Sequence, residues 1–165
     1  MIKTERQYQQ ACRQCQEGRE QLQQQIEGMK DRGYEEDEIQ ALTACTVRLL
    51  DEGRQAIDLY RRLKAQDTTA LAQLPLNRQL IGLRIFQGLS QSKMAARLGV
   101  SRSEVARDEK NEYPELTLQR YGQVLEALGF RMVPVYVEGD RPEATGLREH
   151  LARMAVGQSG RILIG

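Results

Sequence analysis

Apolar residues recur at alternating steps of four and three in the first part of the chain. The positions with this spacing are Tyr8, Cys12, Cys15, Arg19, Leu22, Ile26 and Met29. They fall on one stripe of a helix, the a/d seam of a coiled coil, which Arg19 interrupts. Gly33 is placed to terminate this helix, and the acidic residues 35–37 suit the start of the next one.

A second stripe follows the acidic residues and predicts a second long helix. Its positions are Ile39, Leu42, Thr46, Leu49, Gly53, Ala56, Tyr60 and Leu63. The two stripes predict an antiparallel helical hairpin over residues 1–66. Two helices with one seam each bury little apolar area, so we expect a dimerisation region that pairs with a second copy or with another protein. A plain helical spacer is the alternative. The thiols of Cys12, Cys15 and Cys45 lie on or beside the stripes and are expected to be buried.

A polar stretch at 66–69, followed by Pro75, predicts a linker over residues 67–76. From 77 to 130 the chain has the pattern of several short helices separated by turns. Ser90, Ser101 and Thr117 are each placed to cap a helix N-terminus, because a hydroxyl there accepts a hydrogen bond from a free backbone N–H.

The apolar period changes near residue 130. Residues 130–137 have the composition of a strand, and because Pro134 would interrupt a central strand, we expect an edge strand or a two-stranded ribbon. One more helix is predicted over 144–155, within a final section at 131–165. The expected fold is therefore mainly α, with a short edge strand and a C-terminal helix after the second domain.

The 165 residues carry a net charge of +1, so overall charge does not indicate a nucleic-acid-binding protein. Any affinity for DNA must come from locally placed cations and from dimerisation. No apolar run is long enough to cross a bilayer, and the first residues do not resemble a secretory signal. We expect a cytoplasmic protein without membrane contact.

Residue types for catalysis and metal binding are scarce. Cys12 and Cys15 form a C-x-x-C, but there is no second pair and the single histidine, His150, is far away in sequence. A closed zinc site within one chain is therefore not expected. The chain also lacks a nucleophile elbow and a phosphate-binding glycine loop. We expect no enzyme activity, no cofactor and no metal.

Three residues in the stretch 89–113 have the spacing of two helices that cross steeply over a tight turn. Ala95 is small enough for the helix contact, and Gly99 suits the left-handed backbone of the turn. Val105 is placed to point from the second helix into the shared core. This arrangement is typical of a helix-turn-helix.

The motif LSQSKMAARLGVSRSEVARDE resembles the XRE family, the lambda-repressor and Cro-like helix-turn-helix proteins. The resemblance covers residues 77–130. It implies a five-helix DNA-binding domain over that range. The segment GFRMVPVYVE is similar to the C-terminal strand that antitoxin members of this family use in dimers, and the preceding hairpin is similar to that of a group of bacterial regulators.

The resemblance also implies roles for individual residues. Arg102 and Ser103 match base-contacting positions at the start of the second helix, and Arg107 lies one turn further on the same face. Arginine contacts guanine in the major groove, and serine accepts or donates a hydrogen bond. Gln91 matches the family glutamine that touches a phosphate and braces the second helix.

Charges around this helix lead to further expectations. Lys93, Lys110 and Asn111 are placed to reach phosphates at the margins. Glu104 is open to two interpretations, as an acceptor from cytosine or as an ion-pair partner of Arg107 or another cation. Asp108 and Glu109 are expected to hold the domain together, through Arg84 or the following loop.

These patterns lead to three functional hypotheses. The first is a sequence-specific transcriptional regulator, a repressor, that binds a palindromic operator in double-stranded DNA as a homodimer. The second is an antitoxin that binds the same DNA as a dimer and also binds a toxin through the hairpin or the tail after Pro142. The third is a helical adaptor whose helix-turn-helix does not bind DNA.

Overall fold

A computed structural model describes residues 1–114 and 116–133, and within these ranges the chain forms seven helices. They are α1 (Glu5–Asp31), α2 (Glu36–Lys64), α3 (Thr68–Ala72), α4 (Leu76–Phe86), α5 (Gln91–Leu98), α6 (Arg102–Lys110) and α7 (Leu118–Ala127). The mainly α fold is confirmed. No strand occurs in the described ranges, and residues 131–133 have no regular structure. The rest of the predicted strand and the helix at 144–155 lie outside the described residues.

Helices α1 and α2 form a hairpin, each with a well-defined start. Thr4 Oγ1 accepts a hydrogen bond from the Gln7 backbone N at 3.2 Å, which caps α1. Gly33 has φ +83° in the turn after α1, a left-handed conformation that glycine adopts without steric cost. A capping box between Glu35 and Glu38 then starts α2.

The seam of α2 differs from the predicted stripe. Leu42 and Leu49 are 57% and 58% exposed, whereas Thr43 is buried and Leu50 is half-buried. The cause lies in α1, where a Cβ on Gly18 would come within 2.8 Å of Leu50 Cδ2. The missing side chain leaves room for Leu50, which turns α2 so that the two predicted leucines point outward.

The thiols are also less buried than expected. Cys12 and Cys15 are half-buried beside the seam, and Cys45 is exposed. Cys45 lies on the same outward side of α2 as the two exposed leucines, because it follows Leu42 by three residues and precedes Leu49 by four. The rotation of α2 that exposes these leucines therefore exposes Cys45 as well.

The base of the hairpin belongs to the same core as the following helices. Ile2, Tyr60 and Leu63 are buried in one hydrophobic cluster with residues of α4 to α7. Burial and the nearby Glu5 carboxylate raise the pKa of Tyr60 to about 12, and its hydroxyl donates to Glu5 Oε2 at 3.2 Å. The hairpin is therefore anchored at its base and projects from the other described helices.

The segment 67–76, where a linker was expected, is part of this packing. Helix α3 lies within it, and Ala70 and Leu71 are buried. A Cβ on Gly82 of α4 would meet the Leu71 and Leu74 side chains at 2.8 Å and 2.7 Å. The close approach of α3 to α4 at this glycine buries the apolar residues of the segment. The linker prediction relied on the polar residues at 66–69, which do not indicate this burial.

Five helices, α3 to α7, follow the hairpin in the described residues, and four of them, α4 to α7, lie in the range 77–130 that the family resemblance covers, apart from the first residue of α4. Helix α5 packs on α6 and α7, and α7 also contacts α4. Among the described residues, no helix is both long enough and apolar enough to span a bilayer.

A substitution in α2 tests whether the hairpin base and the helical domain share one core. Leu63 is 0% exposed, so Leu63→Ala should lower the free energy of unfolding by about 2–5 kcal/mol. Urea unfolding followed by circular dichroism measures this change. Leu42→Ala in the same helix is the control and should cost less than about 0.5 kcal/mol because that side chain is exposed. Equal losses would contradict the shared core.

Candidate nucleic-acid interface

The turn between α5 and α6 has the geometry that its sequence predicted. Gly99 ends α5 with φ +69°, and the Val100 backbone N donates to Ala95 O at 3.1 Å. Ala95 and Val105 are 3% and 1% exposed and belong to the same hydrophobic cluster, and α5 packs on α6. The three predicted motif residues are therefore brought together at the helix crossing.

Serine hydroxyls cap both helices. Ser90 Oγ accepts from the Lys93 backbone N at 3.2 Å at the start of α5. Ser101 Oγ accepts from the Glu104 backbone N at 3.1 Å at the start of α6 and lies 2.9 Å from Ser103 Oγ. The cap makes α6 begin at Arg102, so Arg102 and Ser103 occupy its exposed first turn.

A buried ion pair joins α4 to α6. Arg84 Nε and Nη2 donate to the two carboxylate oxygens of Glu109, and the two side chains are only 4% and 1% exposed. Two of the three remaining guanidinium hydrogens also find acceptors, with Nη1 donating to Leu89 O at 2.7 Å and Nη2 to Lys3 O at 2.8 Å. The expected role of Glu109 in holding the domain together through Arg84 is confirmed.

Gln91 extends the same network from α5. Its Nε2 donates to Glu109 Oε2 at 2.9 Å, and its side chain is half-buried. This bond braces α6 against the start of α5. One amide N–H and the amide oxygen of Gln91 are left for other partners.

The other acidic residues of α6 face α7 and are paired there. Asp108 Oδ2 accepts from Arg120 Nη2 at 3.2 Å, and Glu104 Oε1 lies 3.9 Å from the same nitrogen. Glu104 therefore pairs with Arg120 and not with Arg107. The sequence reasoning missed Arg120, because its pairing depends on how α7 crosses α6 and no local spacing indicates it.

The cations on α6 face the opposite way. Arg102, Arg107 and Lys110 are exposed, and within the described residues none forms an ion pair with a carboxylate. Lys93 on α5 is also exposed, and it too forms no ion pair with a carboxylate among the described residues. Because the acidic side chains pair with Arg84 and Arg120 while the cations stay unpaired in solvent, the outer face of α6 is positive although the helix as a whole carries no net charge.

The chain makes a strained turn after α6. Asn111 ends the helix as an exposed C-cap residue, and Glu112 and Tyr113 then have φ +55° and +52°. Arg78 Nε donates to Glu112 Oε2 at 2.9 Å, and this hydrogen bond lowers the pKa of Glu112. Tyr113 is buried, and its burial beside the Glu109 carboxylate raises its pKa. These contacts hold the left-handed backbone, which costs about 1–2 kcal/mol per residue without glycine.

The comparisons with family models, curated proteins and solved structures gave no match. Within residues 1–114 and 116–133, no three His, Cys, Asp or Glu side chains come together as metal ligands. The exposed and unpaired cations instead define the candidate site as the positive outer face of α6, formed by Arg102, Ser103, Ala106, Arg107 and Lys110, with Lys93 of α5 and Asn111 beside it.

Removal of one partner tests the importance of the buried ion pair. Arg84→Met leaves the Glu109 carboxylate buried without its cation and should lower the free energy of unfolding by about 3–5 kcal/mol. Arg48→Met is the matched control, since Arg48 and Glu52 form an exposed pair at 3.8 Å that is worth less than about 1 kcal/mol. Thermal unfolding of both variants gives the comparison, and similar losses would contradict a special role for Arg84.

Proposed function

We propose that α6 is the recognition helix of a DNA-binding helix-turn-helix, and that the protein is a sequence-specific transcriptional repressor. The observation that carries this proposal is the separation of charge across α6. Its acids pair with Arg84 and Arg120, while Arg102, Arg107 and Lys110 stay exposed with no carboxylate partner among the described residues. A helix with such a face suits the major groove of DNA.

The separation of charge also accounts for how a nearly neutral chain could bind a polyanion. A net charge of +1 gives little long-range attraction. The interaction must therefore be local and geometric, through a few cations on one rigid face. We expect weak binding to non-specific DNA and a modest dependence of affinity on salt.

Individual roles follow from position. Arg102 and Arg107 are proposed to donate to guanine edges, with Ser103 bonding an adjacent base. Lys93, Lys110 and Asn111 flank this set and are proposed to contact phosphates, together with the free amide N–H of Gln91. The bracing bond from Gln91 to Glu109 keeps α6 in position while the contacts form.

The wider assignment is that of an XRE-like regulator acting as a dimer. Two copies of α6 related by a two-fold axis would read a palindromic operator whose half-sites lie about one helical turn apart. Regulation of this type needs neither a cofactor nor catalysis. We place the protein in the cytoplasm, where its DNA target would be.

A second candidate function is supported by the hairpin. Leu42 and Leu49 on α2 are 57% and 58% exposed, and Cys45 between them is exposed as well. Such an apolar strip fits a partner protein, for example the toxin of a module in which this chain is the antitoxin. In that case the chain would bind both DNA and toxin. An adaptor without DNA binding would use the hairpin alone.

Substitution of the two arginines tests the DNA-binding proposal. Binding-site selection with the purified protein first identifies the operator, and fluorescence anisotropy then measures affinity. Arg102→Ala with Arg107→Ala should weaken operator binding by about a hundredfold, because each removes a base contact. The control is Arg13→Ala with Arg32→Ala, which removes the same charge from exposed hairpin positions. Equal binding by both double variants would rule out α6 as the recognition helix.

The salt dependence of binding tests the proposed phosphate contacts separately. Lys93→Ala should reduce the slope of log K against log salt concentration by about one, and should weaken binding to all sequences alike. Arg102→Ala should instead relax specificity at one base pair. An unchanged slope for Lys93→Ala would place that lysine away from the DNA backbone.

A further inference from the structure

The hairpin has a long surface that no other part of the described structure covers. Of the described elements, α3 and α4 pack on α2, and they do so near its C-terminal end. The half of the hairpin farther from α4 is therefore open on both sides of the α1–α2 seam. Its two sides differ in character.

One side, called here the grooved side, is formed by Arg19, Ile26, Gln40 and Val47. These four residues lie on the same side because they occupy the same heptad position beside the seam in two antiparallel helices. A shallow groove on α1 is lined by residues including Arg19, Ile26 and Lys30, and another on α2 by residues including Val47 and Asp51.

The other side, called here the leucine side, is formed by Gln14, Gln21, Leu42 and Leu49. It has more exposed apolar surface, and acidic residues border it on both helices. They are Glu17 and Asp31 on α1 and Glu38 and Glu52 on α2.

Charge decides which side suits a second copy of this chain. Tyr8 stacks on Tyr60, and Gly18 lies against Leu50. Arg19 is therefore at the same height along the hairpin axis as Leu49, and Lys30 is at the same height as Glu38. A two-fold axis parallel to the hairpin leaves every residue of the copy at its original height and places α1 against the copy's α2.

On the grooved side this arrangement brings opposite charges together. Arg19 meets Asp51 of the copy within one turn, and Lys30 meets Asp37 of the copy. All four side chains are exposed, and within the described residues neither Arg19 nor Asp51 has an ion-pair partner. On the leucine side the same two-fold rotation brings Glu17 to the height of Glu52 of the copy, and Asp31 to the height of Glu38 of the copy. These pairs of like charges repel each other.

We propose that the grooved side is the homodimer interface, forming a four-helix bundle in which each α1 packs on the other copy's α2. Leu22, Ile26 and Val47 would supply its apolar centre. A face about 40 Å long and about 20 Å wide offers the roughly 800 Å² per partner that a stable interface needs.

The proposed axis has a consequence for function. Because it runs along the hairpins, both copies of α4 to α7 emerge at the same end of the bundle, as two adjacent half-sites require. In this respect the inference rests on the proposed DNA binding. Dimer formation through the grooved side is measured without DNA. A wrong interface and a wrong DNA-binding proposal therefore give different experimental results.

Charge reversal provides the test. Sedimentation equilibrium of the full chain should show a dimer, and Arg19→Glu or Asp51→Arg should each weaken it by at least about tenfold, since each replaces two attractions by two repulsions. A mixture of the two variants should regain dimers. When one copy carries Arg19→Glu and the other Asp51→Arg, residue 19 of each copy again faces a residue 51 of opposite charge. Arg13→Glu, the same change on the outer surface of α1, should have no effect.

Several outcomes would overturn the inference. They are a monomeric wild-type chain at about 100 µM, dimers that both variants leave intact, and variants that stay apart when mixed. Loss of the dimer in Leu49→Asp but not in Arg19→Glu would place the interface on the leucine side. Circular dichroism of each variant shows that its helices are retained, as expected for exposed positions.

Discussion

The buried contact between Arg84 and Glu109 organises the helical domain. Two charges placed in a core are stable only when each is paired and its hydrogen bonds are satisfied. Here the guanidinium bonds Glu109 and the carbonyls of Lys3 and Leu89, while Gln91 donates to the same carboxylate. One ion pair therefore ties α4, the start of α5, α6 and the N-terminal segment together. The orientation of α6 depends on that set of bonds.

The same arrangement divides the charges of α6 between two environments. Glu109 faces the core, and Asp108 faces Arg120 of α7, so acidic side chains are neutralised within the domain. Arg102 and Arg107 have no such partner among the described residues and remain in solvent. A chain with almost no net charge can thus present a locally positive helix face, which is the property that the proposed DNA binding requires.

The hairpin illustrates how one small residue sets the position of a long helix. The gap left by Gly18 receives Leu50, and that contact rotates α2 so that Leu49 faces solvent. Tyr60 and Leu63 at the base are buried with the helical domain, so the hairpin is continuous with it and not joined by a linker. The open sides of the hairpin are therefore held in a defined direction relative to α6.

Local signals in the sequence were sufficient for the helix starts, the α5–α6 turn and the positions of Ala95, Gly99 and Val105. Capping hydroxyls, a left-handed glycine and apolar spacing act within a few residues, so their effects can be read from the chain alone. The rotation of α2, the burial of 67–76 and the pairing of Arg120 with Asp108 required the packed structure. Each depends on contacts between helices that are distant in sequence. The residues next to these positions do not indicate which face of a helix makes such contacts.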